Sequence, residues 1–252
     1  MMRALALAAL SSLLLGMLAG CAGDPSRHSG AEIAAILAAP DRSDADRAND
    51  ARRKAPQMLA FIDARSGMRV LDMGAGAGYT TELIARSVAP GGHVYAQNTE
   101  YAVKNFLKGR FDERLKTPAM RNVTHHVLPF DAPVPKEVAP GSLDLVTFMF
   151  TYHDTGWTGA DRARMNKAVF AALKRGGHYI VADHSGRPGT GISESKTLHR
   201  VEEALVRKEI EAAGFTLVEE GGFLRNPDDP RDRIVFKPAQ PNDEFVLKFV
   251  KP

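Results

Sequence analysis

The 252-residue sequence has a single cysteine, Cys21, and a single tryptophan, Trp157. A lone cysteine excludes an internal disulfide, so a hydrophobic core must hold the fold, and a chain of this length can bury one. An excess of charge of one sign is also missing, because 33 basic residues balance 30 acidic ones. No dense basic stripe is visible, and we therefore expect no nucleic-acid partner.

The N-terminal apolar run, residues 4–18, is shorter than the roughly 20 residues that a membrane-spanning helix needs. It follows the short positive start Met1-Met2-Arg3 and leads into small residues, which is the pattern of a secretory signal. We predict a lipoprotein signal peptide over residues 1–20, because Leu18-Ala19-Gly20-Cys21 resembles the bacterial lipobox. The alternative is a plain secretory signal that ends near a cysteine.

The lipobox resemblance implies cleavage before Cys21 and a diacylglycerol on its thiol. We therefore expect a lipoprotein on the periplasmic side of the membrane, with the outer membrane favoured because Ala22, and not aspartate, follows the cysteine. Residues 21–43 are small, polar and interrupted by Pro25 and Pro40, which predicts a lipid-anchored tether with one short helix around 31–38. Residues 44–252 are predicted to form a single domain.

Helical and strand-like segments alternate along this domain. Such alternation predicts an α/β fold: a Rossmann-like, doubly wound sheet of about seven strands, mostly parallel with an antiparallel last strand, and helices on both faces. In such sheets, ligands bind in the loops beyond the carboxyl ends of the strands. The predicted strands are 69–73, 93–97, 123–128, 143–150, 178–182, 215–219 and 244–250, and the clearest helices are 44–54, 80–87, 161–174 and 196–213.

Three glycines on alternate positions, Gly74, Gly76 and Gly78, follow the first of these strands. Glycine permits a tight turn and lets a ligand approach the main chain. The spacing is not that of a dinucleotide fingerprint, and Asp72 would repel a pyrophosphate. A nicotinamide-dependent oxidoreductase is therefore disfavoured, and we expect a ligand that is cationic near this loop.

The segment "VLDMGAGAGY" (70–79) resembles motif I of the class I S-adenosylmethionine-dependent methyltransferases. Three further segments match this family in the right order: "PFDAP" (129–133), "GSLDLVTFMF" (141–150) and "LKRGGHYIVAD" (173–183). The resemblance covers roughly residues 56–220. The segment "FLRNPDDPR" (223–231) further resembles a group of predicted exported bacterial methyltransferases.

The resemblance implies S-adenosyl-L-methionine as cofactor and assigns residues to it. Asp72 and the three glycines would hold the methionine portion, with Tyr79 beside them. Asn98 stands at the ribose position, where an acidic residue is usual, and Glu100 is a substitute two residues on. The cofactor-binding residues implied in this way are Asp72, Gly74, Gly76, Gly78, Tyr79, Asn98, Phe130 and Asp131, the last two at the adenine.

The segment "TYHDTGW" (151–157) follows the fourth strand, where this fold faces the transferable methyl group. His153 is the predicted general base because an unperturbed histidine titrates near neutral pH, and Asp154 would orient it. Tyr152 and Trp157 would form walls of the substrate pocket. His184, just after the fifth strand, is a second catalytic candidate. The alternative for His153 is a structural tie, and the spacing of the histidines predicts no metal site.

The charged segment 44–54 permits two interpretations. Arg47, Asp50 and Lys54 are spaced to form salt bridges on a solvated helix face. Alternatively, the helix is a lid whose Arg47 or Arg53 contacts substrate. The overall prediction is a lipid-anchored methyltransferase acting on a small or lipid-like acceptor. Its rival is a non-catalytic periplasmic lipoprotein that binds an adenosine-like ligand on the same fold.

Overall fold

The computed structural model describes residues 28–236, 238 and 240–252. The predicted signal peptide, Cys21 and the first part of the tether lie outside these residues. Within the described part of the chain, no helix has the length and apolar character needed to cross a membrane. The predicted tether helix is present as α1 (Gly30–Leu37), which begins with a capping box between Ser29 and Glu32.

Seven strands form one sheet in the order β3-β2-β1-β4-β5-β7-β6. The first five pair in parallel, whereas β7 runs antiparallel to both of its neighbours. The predicted fold class is thereby confirmed. The strands are β1 (Arg69–Met73), β2 (His93–Asn98), β3 (Val123–Val127), β4 (Leu143–Met149), β5 (Leu173–His184), β6 (Thr216–Glu220) and β7 (Glu244–Val250).

Helices cover both faces of this sheet. One face carries a large apolar cluster under α8 and α9, and the other carries a cluster under α3 and α4. The central strand β4 serves both, because Val146 and Phe148 point to one cluster while Leu145 and Met149 point to the other. The remaining helices are α2 (Asp44–Arg53), α3 (Ala55–Ile62), α4 (Tyr79–Val88), α5 (Glu100–Ala102), α6 (Arg110–Leu115), α7 (Asp154–Thr158), α8 (Arg162–Ala172) and α9 (Glu203–Ala212).

The helix predicted over 196–213 was wrong at its start, because α9 begins only at Glu203. The preceding residues run beside the end of β5 instead. The backbone amide of Val201 donates to the carbonyl of His184, and the amide of Gly186 donates to the carbonyl of Val201. This pairing withdraws Val201 from helical hydrogen bonding and places His199 next to the carboxyl end of β5.

The strand order reverses between β1 and β4, which lie side by side in the middle of the sheet. A crevice opens at such a reversal because the connections leave the two strands in opposite directions. The glycine loop follows β1 and residues 150–154 follow β4, so the two segments flank the same crevice.

Candidate active site

All three loop glycines have positive φ angles: +59° at Gly74, +58° at Gly76 and +88° at Gly78. A β-carbon at Gly74 would lie 2.7 Å from Cγ2 of Thr151, and one at Gly78 would lie 2.7 Å from Cδ of Arg114. These two glycines are therefore required by the protein's own packing. A β-carbon at Gly76 would meet only the carbonyl oxygen of Gly74, at 3.9 Å. Gly76 alone of the three opens onto free space.

The end of β2 holds the glycine loop in place. The amide of Gly74 donates to Oε1 of Gln97 at 2.9 Å, and the amide of Gly76 donates to Oδ1 of Asn98 at 2.9 Å. Nδ2 of Asn98 donates back to the carbonyl of Gly76 and also lies 3.2 Å from Nε2 of His125. Asn98 is almost fully buried. Asn98 therefore braces the loop, and its role at the ribose stays a prediction.

Asp72 makes contacts within the protein. Its carboxylate is buried and accepts hydrogen bonds from Oγ1 of Thr81 at 2.6 Å and Oγ1 of Thr147 at 2.7 Å. Burial raises the pKa of Asp72 to about 6, although both hydroxyl donors act to lower it. The side chain ties β1 to α4 and β4, and its contact with the methionine end of a ligand stays a prediction.

Of the other predicted cofactor residues, Tyr79 and Phe130 contact protein side chains, and Asp131 is partly exposed. The hydroxyl of Tyr79 donates to Oδ1 of Asp50 at 2.7 Å. The ring of Phe130 is buried, and its centroid lies 5.4 Å from that of Phe148. Asp131 keeps about a third of its side chain exposed, with Nη1 of Arg164 3.8 Å from Oδ2. Asp131 therefore remains accessible to a ligand, as the resemblance requires.

A cavity of about 1060 Å³ lies beyond the carboxyl ends of β4 and β5. The end of α2 supplies Arg53, the loop after β4 supplies His153, and the end of β5 supplies His184. Another part of the wall comes from residues 223–226, 235, 236, 238, 241, 242 and 244. The cavity therefore occupies the position in which the sequence predicted an acceptor pocket.

His153 is the most constrained group in this cavity. Its Nδ1 lies 2.7 Å from Oδ1 of Asp183, and its backbone amide donates to Oδ2 of the same carboxylate at 2.7 Å. Nε2 of His153 lies 3.3 Å from Oδ1 of Asp154. Burial acts to lower the pKa of His153, but the two carboxylates outweigh it and raise the pKa to about 10. A raised pKa favours the protonated imidazole, which is less suited to accept a proton, and the general-base role of His153 stays a prediction.

Of the two aromatic residues predicted to line the pocket, the structure places one in the cavity wall and the other in the core. Trp157 does line the cavity, and its Nε1 donates to Oδ1 of Asp154 at 2.8 Å. Tyr152 is fully buried beneath the site, where its hydroxyl donates to Oε2 of Glu209 and accepts from Nδ2 of Asn166. Tyr152 therefore does not form a wall of this cavity, because its side chain lies in the core.

The structure also brings His199 to the site, a residue that sequence analysis did not select. Nδ1 of His199 lies 3.3 Å from Nε2 of His153. His184 lines the same cavity, and its Nδ1 lies 2.8 Å from Oε1 of Glu244. No local spacing links His199 to residues 153–154, and the predicted helix over 196–213 concealed the extended backbone that delivers it.

Two charged side chains of α2 contact the chain segment before the helix and do not lie on a solvated helix face. Asp50 accepts two hydrogen bonds from Arg42, and Arg47 donates to the carbonyls of Leu37 and Ala39. The solvated-face interpretation is therefore wrong for these two residues. Arg53 lines the cavity, as the lid interpretation expected for one of the two arginines.

The Arg53 side chain lies in the cavity wall, packed against an aromatic ring. Its guanidinium carbon stacks 3.4 Å from the centroid of the Phe150 ring. Nε and Nη1 are buried and have no hydrogen-bond partner within the part of the chain that the structure describes. Burial, with the charge of Arg52, lowers the pKa of Arg53 to about 9, which still leaves it charged at neutral pH. A buried cation without an acceptor is the arrangement expected of an anion-binding group.

The glycine loop and the cavity meet at the end of β4. The side chain of Thr151 contacts Gly74, while its neighbours Phe150 and His153 line the cavity. Residues 150–153 therefore join the glycine loop to the cavity.

Part of the chain matches a known protein family. Residues 44–127 match the model of the family described as protein-L-isoaspartate(D-aspartate) O-methyltransferase. A protein-L-isoaspartate O-methyltransferase of Aeropyrum pernix is 46% identical over 57 residues, which cover 21% of this chain and 22% of that protein. The chain thus spans less than a third of the length of the curated relatives it matches. The matched residues contain the glycine loop and end before β4.

Solved structures extend the likeness to most of the chain. A SAM-dependent methyltransferase from Aquifex aeolicus superposes with a TM-score of 0.57 at 18% identity, over 80% of this chain and 89% of that one. The [4+2]-cyclase SpnF superposes with a TM-score of 0.56 at 16% identity, over 82% of each chain. The chain therefore has the class I methyltransferase fold. Because a cyclase shares that fold, the activity has to be argued from the site.

Proposed function

We propose that this protein is an S-adenosylmethionine-dependent methyltransferase whose acceptor binds in the cavity between the end of β4 and residues 223–226. The observation that carries the proposal is the contact of Thr151 with Gly74, because it brings the glycine loop next to the segment that lines the cavity. Methyl transfer needs its two reactants in direct contact and in line, so the two binding places have to adjoin each other. The family match over residues 44–127 supports the cofactor half of this assignment.

The glycine loop fits the cofactor at Gly76. An added β-carbon there would enter open space, so the free space is available to a ligand that touches the backbone. Gly76 and the exposed part of Asp131 would hold S-adenosylmethionine, with Gln97 and Asn98 keeping the loop in shape from behind. When bound, this cofactor supplies a methyl group on a positively charged sulfur.

The cavity favours an acceptor with an anionic oxygen group. Arg53 lines the cavity and offers two unpartnered donor nitrogens. A carboxylate acceptor would be attracted by this cation. It would also need no general base, because it has no proton to lose before it attacks a methyl carbon. We therefore place the acceptor among small carboxylates, or lipid-like molecules with an anionic head, and assign Arg53 to bind that group.

Binding and turnover test the proposal separately. Calorimetry on the purified protein should show binding of S-adenosylmethionine and S-adenosylhomocysteine but not of NAD. Gly76→Ala should weaken this binding at least tenfold by filling the open space. Gly67→Ala is the matched control, since Gly67 also has a positive φ, at +83°, and open surroundings, but lies before β1. Equal binding to wild type and Gly76→Ala would reject the assigned cofactor position.

Turnover is then measured as S-adenosylhomocysteine released in the presence of different acceptors. The panel should include an isoaspartyl peptide, free small carboxylates and an anionic lipid in detergent, because the family match ends before the residues that form most of the cavity. Arg53→Gln should abolish release with the active acceptor and leave cofactor binding intact. Cofactor binding without turnover on any acceptor would favour the rival proposal of a non-catalytic binding protein.

We also propose that the protein is exported and anchored to the membrane through Cys21. The support is the order of a positive start, an apolar run and Leu-Ala-Gly-Cys in the sequence. Cys21→Ser should release the protein from the membrane fraction. Intact mass of the wild type should show the loss of residues 1–20 and the added acyl groups, and a full-length, unacylated chain in the membrane fraction would contradict the proposal.

A further inference from the structure

Three side chains with metal-ligating atoms converge at the floor of the cavity. Nε2 of His153 lies 3.3 Å from Nδ1 of His199 and 3.3 Å from Oδ1 of Asp154. The remaining distance, from Nδ1 of His199 to Oδ1 of Asp154, is 3.9 Å. We infer that His153, Asp154 and His199 form a binding site for a divalent transition-metal ion of the zinc type.

The distances agree with tetrahedral coordination. Ligand atoms about 2.0–2.2 Å from a zinc ion stand about 3.3–3.5 Å apart along the edges of a tetrahedron. Two of the three observed distances have this length, and the third needs a shift of only a few tenths of an ångström. Two imidazoles and one carboxylate are a donor set that zinc prefers, whereas magnesium and calcium prefer oxygen donors alone.

The groups behind the ligands support the same inference. Nδ1 of His153 points to Asp183, which leaves Nε2 directed at the proposed ion. A carboxylate on the far nitrogen of a metal-binding histidine is the usual second contact of such sites, because it fixes the ring and increases its basicity. Asp183 is itself fixed, since it also accepts from the amides of His153 and His184. Trp157 similarly holds Asp154.

His199 provides an independent observation. Its φ angle is +56°, a backbone conformation that residues other than glycine rarely adopt. The pairing of Val201 with His184 fixes the following backbone, and the His199 ring packs against Phe236 with centroids 4.7 Å apart. The chain is therefore held in an unfavourable conformation that directs this imidazole at His153.

The fourth coordination position would face the cavity, because all three ligands line it. An anionic oxygen of the acceptor would occupy that position, next to the guanidinium of Arg53. This part of the inference rests on the proposed function, whereas metal binding itself does not. The site escapes sequence inspection because its third ligand lies 45 residues from the second by chain position, without a local motif.

The test measures zinc binding without cofactor or acceptor. Purified protein treated with a chelator should bind one Zn²⁺ per chain in competition with a chromophoric chelator, and should not bind Mg²⁺ under the same conditions. His153→Gln and His199→Gln should each weaken zinc binding by at least about 100-fold, and Asp183→Asn by about 10- to 100-fold. Two control variants should bind as the wild type does: His184→Gln in the same cavity and Cys21→Ser, which removes the thiol.

Wild-type measurements keep the test valid if a variant does not fold. Co²⁺ should give the intense visible absorption of a four-coordinate ion, and Zn²⁺ should raise the unfolding temperature of the wild type. Absence of stoichiometric zinc binding, or unchanged binding after replacement of both histidines, would overturn the inference. Cofactor binding at Gly76 is measured on separate samples, so its failure is distinguishable from failure of the metal site.

Discussion

Asp183 contacts His153 through both carboxylate oxygens. Oδ1 lies 2.7 Å from Nδ1 of the His153 ring, and Oδ2 accepts a hydrogen bond of 2.7 Å from the His153 backbone amide. Both residues are buried. This double contact fixes the orientation of the ring, and the carboxylate raises the pKa of His153. The role that we propose for His153 is that of a metal ligand, where the sequence alone predicted a general base.

Replacement of Asp183 by asparagine should lower the free energy of unfolding of the protein, and it should also lower the pKa of His153. Asparagine offers one acceptor oxygen in place of two and removes the negative charge, and breaking such a buried pair costs about 3–5 kcal/mol. Denaturant unfolding measures the loss. The His153 ring nitrogen shifts, followed by NMR in chelator-treated protein, should titrate near pH 10 in the wild type and at lower pH in Asp183→Asn.

The sign of the accompanying pH effect follows from the raised pKa. A histidine whose pKa is higher in the folded than in the unfolded state stabilises the fold fully below about pH 6.5, and this contribution is lost as the pH rises towards about 10. The stability difference between wild type and Asp183→Asn should therefore shrink over that interval. A difference that stays constant from pH 6 to pH 10 would show that His153 is not protonated by this contact.

Asp72 should give a pH dependence of the same sign, but at lower pH. Its pKa is raised to about 6 in the folded state, so its buried carboxyl contributes stability when protonated and loses it as the pH rises from about 4 to about 6. The unfolding free energy of the wild type should fall relative to Asp72→Asn over this range. Thr147→Val removes one of the two hydroxyl donors and should widen the effect. An Asp72→Asn protein that folds and still binds S-adenosylmethionine normally would confirm that Asp72 does not contact the ligand.

Asn98→Asp should weaken cofactor binding, although an acidic residue is usual at this position in the family that the sequence resembles. Aspartate cannot donate to the carbonyl of Gly76 or face it without repulsion. The loop would lose the hydrogen bond from Nδ2 of Asn98 to Gly76, with a cost of about 1–3 kcal/mol. Calorimetry with S-adenosylhomocysteine measures the change. Glu113→Gln is the control, because Glu113 is exposed and paired with Lys116, and tighter binding by Asn98→Asp would support the ribose assignment.

Tyr152→Phe should reduce the stability of the protein and leave ligand binding unchanged. The variant leaves Nδ2 of Asn166 without its acceptor, whereas Glu209 keeps its hydrogen bonds with Arg162. We expect a loss of about 1–2 kcal/mol in the free energy of unfolding. Zinc and cofactor affinities should equal those of the wild type. A loss of either affinity in a fully folded Tyr152→Phe protein would return Tyr152 to the site.

The order and type of most elements followed from the sequence alone, because apolar periodicity and glycine punctuation are local properties of the chain. Strand β7 was predicted at its observed bounds, and β1 likewise, since each is a short apolar segment between breakers. The glycine loop and the loop after β4 were located for the same reason. The carboxyl ends of parallel strands lie at one edge of a sheet, so the chain order was enough to bring them together.

Only the tertiary structure decided what the side chains at that edge contact. Gly74 and Gly78 are glycines because Thr151 and Arg114 pack against them, and neither neighbour is close in sequence. The charge of His153 depends on Asp183, and the third member of its cluster depends on His199 leaving the predicted helix to run beside β5. Hydrogen bonds and electrostatic shifts act over a few ångströms in space. A local pattern can show which residue types are available, but it does not show which of them meet.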